Sequence, residues 1–179
     1  NKRPLFIGED VERTVKFPDA NLSGQHQLPA KMMLHEQMRN VEGSVLWYAK
    51  AAVDNTGNYG SVLRNNYWRY PALQPQMSFL DKKAPKKPRK VKPVWTSDGY
   101  ILFWTAPRGK AWGDVATRYV VYRFDADETP DISQSRHIVK ITRDTQYKPA
   151  EKRSGKHCYV VTVVDKCWNE SEASKAIKW

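Results

Sequence analysis

An α/β segment followed by an all-β domain is the fold class predicted by this chain of 179 residues, and three observations predict it. Apolar runs alternate with helix-period stretches through residues 1–80, the hydrophobic period switches to two from about residue 88, and the positive charge gathers between the two regimes. The formal charge of +11 divides as +2 over residues 1–80, +6 over 81–93 and +3 over 94–179. The middle segment, DKKAPKKPRKVKP, also holds three prolines and reads as a connector. With 40% hydrophobic residues the remainder builds a core, which excludes a disordered tail.

In the first region, PLFIGED is a short apolar run ending in Gly8, Glu9 and Asp10, as a strand of a parallel sheet does. A polar stretch follows. Pro29 then opens a helix through AKMMLHEQMRNVEG, with Ala30, Leu34, Met38 and Val41 on one face and Gly43 as its stop. GSVLWYA is a second buried strand, and NYGSVLRNNYW a short helix that ends before Pro71. The order strand, helix, strand, helix is the rhythm of βα units.

In the second region the residues alternate. GYILFWTAP sets Tyr100, Leu102 and Trp104 on one face, RYVVYRFD turns Tyr119 and Val121 inward, and CYVVTVVD turns Tyr159, Val161 and Val163 inward. HIVKI and ASKAIKW add strands, with loops such as APRGKAWGD and DADETPD between them. About seven short strands in about ninety residues predict an antiparallel β-sandwich able to fold by itself.

Two resemblances rest on these motifs. The second region resembles a fibronectin type III domain: it has the tryptophan of LFWTAP, the strand RYVVYR and the run CYVVTVVDKCWNES. There Tyr159 stands at that fold's tyrosine near the penultimate strand, and Asn169, Glu170 and Ser171 at its final turn. The first region resembles the last two βα units of the barrel in a bacterial glycoside-hydrolase-like family formerly catalogued as a domain of unknown function. VEGSVLWYA, the segment LRNNYWRYPALQP and the appended β-domain carry that likeness together. The resemblance implies the end of a (β/α)8 TIM barrel over residues 1–80, a basic Pro-rich linker over 81–93, and the sandwich over 94–179 with its first strand beginning near 88. It implies an exported, periplasmic or cell-surface protein, whose glycosidase activity on a polysaccharide or cell-wall glycan belongs to the parent chain.

Barrel sites lie at the C-terminal ends of the strands. By that rule Glu9 and Asp10, after the first strand, and Trp47 and Tyr48, at the end of the second, point toward a site. Glycoside hydrolysis normally needs two carboxyl groups flanking the bond. Glu9 and Asp10 are adjacent and diverge along a strand, so the acid and nucleophile are expected from earlier strands and no catalytic residue is assigned here. Trp47 and Tyr48 are expected to offer flat faces to sugar C–H groups, and Asp10 an acceptor for hydroxyls. Against these stand plainer roles, Trp47 filling a barrel layer and Asp10 capping or salt-bridging a loop.

Other chemistries lack their residues. HEQMR at residues 35–39 begins like a zinc-protease helix, but Arg39 stands where the second histidine belongs. His26, His137 and His157 are scattered, with no nucleophile grouped beside them. There is no phosphate-binding glycine loop, and no metal or cofactor is expected. Cys158 and Cys167 form neither a disulfide framework nor a metal signature, and their pairing is left open. Trp112 and Trp179 are candidates for exposed aromatics on the β-domain. No apolar run reaches membrane-spanning length.

Arginines threaded between aromatics in LRNNYWRYPALQPQM, just before the lysine run, raise a nucleic-acid reading. Leu63, Tyr67, Tyr70 and Leu73 recur there at helical or turn spacing, so the expectation is packing against the barrel, and only salt-sensitive, non-specific attraction of nucleic acid. Three classes remain open. They are a glycosidase fragment, a non-catalytic glycan- or protein-binding module, and a nucleic-acid binder using Arg64, Arg69 and the lysines. Two βα units cannot close a barrel, so exposed strand edges, a bare apolar sheet face and self-association are expected of residues 1–80.

Overall fold

A computed structural model describes residues 3–17, 26–109 and 114–179. They form two compact units, Arg3–Arg69 and Tyr70–Trp179.

The first unit runs β1 (Leu5–Asp10), α1 (Val11–Lys16), α2 (Leu28–Gln37), β2 (Val41–Trp47), α3 (Ala49–Val53) and α4 (Tyr59–Val62), and α4 continues into a π turn at Leu63–Tyr67. Strands β1 and β2 pair in parallel, as βα connectivity demands. One face of this pair carries the core: Val11, Leu28, Met32, Ala51, Ala52, Tyr59 and Leu63 are buried together, with Val15, Leu46, Val62 and Tyr67 against them. The opposite face is open, and on it Phe6, Val45 and Trp47 are exposed.

Two helices escaped the sequence reading, α1 and α3, each too short for a periodic signal. The boundaries of α2 also differ from expectation. The helix stops at Gln37, the chain turns with Val41 N–H donating to Met38 O at 3.1 Å, and Gly43 lies inside β2 rather than ending a helix. The buried face is Leu28 and Met32, while Leu34 and Met38 are exposed. The strand captures Val41–Gly43 because ladder pairing with β1 satisfies their backbone, and Gly43 is small enough for the Phe6 ring to lie over it.

The second unit has seven strands among the described residues, all paired antiparallel. β3 (Arg89–Thr96), β4 (Gly99–Thr105) and β7 (Gln146–Tyr147) form one sheet. The other holds β6 (Ile138–Thr142), β5 (Arg118–Asp125), β8 (His157–Val164) and β9 (Ile177–Lys178), in that order. Leu102 and Trp104 of one sheet and Tyr119, Val121, Tyr159, Val161 and Val163 of the other enclose a common apolar layer, the arrangement of two sheets face to face. Each inward residue expected from the alternation is there except Tyr100, which lies at the open end of the layer, more than a third exposed.

Trp179, expected at the surface, is buried in that layer and donates its indole N–H to Glu151 O at 3.2 Å. Its backbone is held by β8, since Trp179 N–H donates to His157 O at 2.8 Å, and this draws the terminal ring inward. Trp112 lies outside the described residues. The thiols of Cys158 and Cys167 are both free and buried.

The LRNNYWRYPALQPQM segment divides. Leu63 and Tyr67 pack in the first unit as expected, whereas Leu73 packs on the outer face of the β5–β8 sheet with Val120, Tyr122, Phe124 and Val160. Met77 N–H donates to Cys167 O at 2.8 Å, and the Gln76 amide donates to the Asn169 side-chain oxygen. Both faces of that sheet are therefore covered, one by the opposing sheet and one by the chain before it, while Tyr70 stays exposed.

Candidate functional site

Register decides which side chains share a face. Across β1 and β2 the partners are Phe6 with Gly43, Ile7 with Ser44, Gly8 with Val45, Glu9 with Leu46 and Asp10 with Trp47. In a parallel pair, level partners point the same way and successive residues alternate. Asp10 and Trp47 thus lie together on the open face, at the C-terminal ends of both strands. Glu9 and Leu46 lie on the face covered by helices, where Leu46 joins the core. Tyr48 follows Trp47 at the start of α3. The two aromatics are 72% and 53% exposed, so among the described residues Trp47 fills no core layer.

Asp10 works as a helix cap. Its Oδ1 accepts the Arg13 backbone N–H at 2.9 Å, its backbone oxygen accepts the Thr14 hydroxyl at 2.7 Å, and the Arg13 guanidinium lies 3.6 Å from Oδ2. A cap of this kind fixes the entry to α1. It also fixes the carboxylate, whose side chain remains 41% exposed and offers spare lone pairs beside the Trp47 ring.

Glu9, its neighbour, is withdrawn. Its carboxylate is buried and meets Lys31 Nζ at 2.8 Å and His35 Nε2 at 3.1 Å. Lys31 also donates to Thr14 Oγ1 at 2.9 Å, and His35 Nδ1 lies 3.1 Å from Ser44 Oγ. This network ties α2 to β1, α1 and β2. Burial pushes the Tyr59 hydroxyl up to about 12, with the Glu9 charge adding to it. Lys31 and His35 were not singled out from sequence as Glu9 partners, although their spacing of four sets them on one helical face.

Ser44, His35 and Glu9 stand in the order of a nucleophile, base and orienting acid. The surroundings do not suit that chemistry. Lys31 already neutralises Glu9, and the cavity of about 210 Å³ onto which Ser44 and His35 open is also lined by Glu36 and Glu42. Two carboxylates there would oppose an oxyanion. Among the described residues no three metal-ligating side chains cluster. The remaining histidines have local partners. His26 Nδ1 accepts the Leu28 N–H at 3.3 Å, the His137 ring stacks on Phe124 at 4.3 Å, and His157 lies 3.3 Å from Asp125.

No helix among the described residues is long and apolar enough to cross a membrane. No protein-family model matches the chain. Over 175 residues, 96% of its length, it is 27% identical to the protein named glycosyl hydrolase YngK of Bacillus subtilis (strain 168). The match covers 33% of that protein, so the chain spans only a minor part of the curated relative it resembles. This likeness supports a glycoside-hydrolase-related chain.

Proposed function

We propose that the chain is the carboxy-terminal part of an exported glycoside hydrolase acting on a polysaccharide or cell-wall glycan. In this reading the first unit is the last two βα units of a (β/α)8 barrel and the second a fibronectin type III-like accessory domain. The observation that carries it is the placing of Asp10 beside Trp47 on the open face, at the C-terminal ends of two parallel strands, where barrel enzymes keep their sites. Phe6 and Val45 lie on the same face nearer the strand starts and supply the apolar layer that further strands would cover. The 27% likeness to a protein named as a glycosyl hydrolase supports the substrate class.

The proposed roles follow from side-chain chemistry. The Trp47 ring stacks on the C–H face of a pyranose, Tyr48 extends that wall, and Asp10 accepts a hydroxyl hydrogen bond. Glu9 holds the scaffold beneath them. Hydrolysis needs a carboxylic acid and a second carboxylate, and Asp10 is the one carboxylate that β1 and β2 place on the open face. The acid and nucleophile are then contributed by chain outside these residues, and this piece forms part of the sugar-site wall. In the full gene product, Trp47→Ala is expected to lower kcat/KM on cell-wall glycan by about tenfold to a hundredfold, mostly through KM. Unchanged kinetics in that variant would remove Trp47 from the site.

That Asp10 stands without a second carboxylate on its face also favours a non-catalytic glycan-binding role as the second reading. Glycan bound but not cut by the full gene product would select it.

A further inference from the structure

We infer that a basic cleft on the second unit binds carboxylate-bearing polysaccharide. The cleft, of about 660 Å³, lies between the residues leading into β3 and the loop after β4, and four cations line it: Lys86, Lys87, Arg89 and Arg108. One carboxylate, Glu172, faces them.

These cations are held in place and poorly neutralised. Pro85 and Pro88 are buried while Lys86 and Lys87 are exposed, so the prolines pin the backbone and the lysines project from an ordered track. A pinned track loses little freedom when a ligand binds. Arg89 donates to Ala106 O at 3.2 and 3.4 Å, which orients its guanidinium without cancelling its charge. Lys87 lies 3.6 Å from Glu172 with both side chains mostly in water, a pair that a stronger anion displaces at little cost. Among the described residues, no carboxylate pairs with Lys86 or Arg108. Lys83, by contrast, is engaged by Asp114 at 2.8 Å and lies outside the cleft.

The walls choose the kind of polyanion. Between the cations the lining is saturated and apolar, from Ala84, Pro85 and Pro107, and among the described residues it includes no aromatic ring. Nucleic-acid grooves hold bases by stacking on aromatics, and the described lining offers bases no ring. A pyranose presents C–H groups to such a floor, and its carboxylate meets the guanidinium forks of Arg89 and Arg108 in bidentate geometry. A neutral sugar chain would leave the cations without a counterpart. The volume falls within the range of small-ligand sites, enough for a short segment of chain. The inference takes from the preceding reading only that the ligand is a saccharide, and the open face of the first unit has no part in it.

The test is a binding titration of the intact chain at about 0.15 M salt with polygalacturonate, neutral dextran and duplex DNA. Polygalacturonate is expected to bind and dextran not to. Lys86→Glu with Arg108→Glu, both exposed positions, should weaken binding about tenfold or more. Glu172→Gln should tighten it. Equal binding by the doubly reversed variant, no binding of polygalacturonate, or tighter binding of DNA than of polygalacturonate would each overturn the inference. Polygalacturonate binding that persists while Trp47 proves silent toward cell-wall glycan would overturn only the reading of the first unit.

Discussion

At the scale of single residues, Glu9 and Asp10 show how one step along a strand separates a buried carboxylate from an exposed one. Glu9 sits with Lys31 and His35 in a buried network. Lys31→Met should therefore destabilise the first unit by about 2 kcal/mol, since the carboxylate keeps one partner and Lys31 is itself partly in water. Urea unfolding of the variant measures this, and an unchanged midpoint would show that the network contributes nothing. Trp47→Ala should shift stability by less than about 0.5 kcal/mol, because the ring is largely solvent-exposed. Sequence named Glu9 and Asp10 as a pair pointing toward a site. It expected them to diverge along the strand but had no means of telling which face the helices cover, which is fixed by partners far along the chain such as Lys31 and His35. In the second unit, hydrogen bonds from Ser133 and then the Gln134 amide hold the Asp131 carboxyl down to about 2, from an ordinary 3.8. A carboxyl lowered on folding contributes stability that is present above the unfolded value and lost as pH falls through the folded one. An NMR titration should place the Asp131 midpoint near 2, and a midpoint near 4 would contradict those hydrogen bonds.

At the scale of elements, the backbone of β8 is completed by side chains. Beyond the short pairing with β9, its edge meets Ser171 and Ser174. Val163 N–H donates to Ser171 Oγ at 2.9 Å while Ser171 N–H donates to Val163 O at 2.9 Å. Val161 and Ser174 repeat the exchange at 3.0 and 2.9 Å. Each serine oxygen stands in for a ladder carbonyl, so Ser171→Ala strands a buried N–H and should cost about 1–3 kcal/mol, read as a lower Tm. A Ser171→Ala protein as stable as the parent would mean that water replaces the hydroxyl. The Asp165 carboxylate fixes the turn before these serines, accepting from the Cys167 and Asn169 backbone N–H groups at 2.7 and 2.9 Å. The run CYVVTVVD revealed its inward face through alternation. It did not reveal that Val160, Thr162 and Val164 are buried as well, because part of their cover comes from Leu73, far upstream. In α2 the helical period misled: it set Ala30, Leu34, Met38 and Val41 on one face, whereas Leu28 and Met32 are the buried residues of the helix and β2 claims Val41.

At the scale of the molecule, the two units differ in how much core they enclose. The first buries one apolar layer on one side of a two-stranded sheet, and small domains with a single layer are marginal. The second encloses an apolar layer between its sheets and a further one outside. Urea is therefore expected to unfold the chain in two steps, the first unit earlier, with trypsin at intermediate urea leaving a resistant piece that contains β3–β9. A single coincident transition by fluorescence and proteolysis would show that the units stabilise each other. The period switch made the second fold class legible from sequence. The exposed face of the first unit, with Phe6, Val45 and Trp47 on it, was legible too, from the strand and helix order read over residues 1–80.

The central claim is that this open face is the wall of a glycan site, and the indole resonances test it most directly. The seven tryptophans can be assigned by single replacements with phenylalanine and followed while solubilised cell-wall glycan strands are added to the intact chain. The account predicts that the Trp47 indole shifts first and saturably, and that Asp10→Asn weakens the shift while Glu9, behind the sheet, is not perturbed. A Trp47 signal that stays still while glycan binds elsewhere would contradict it.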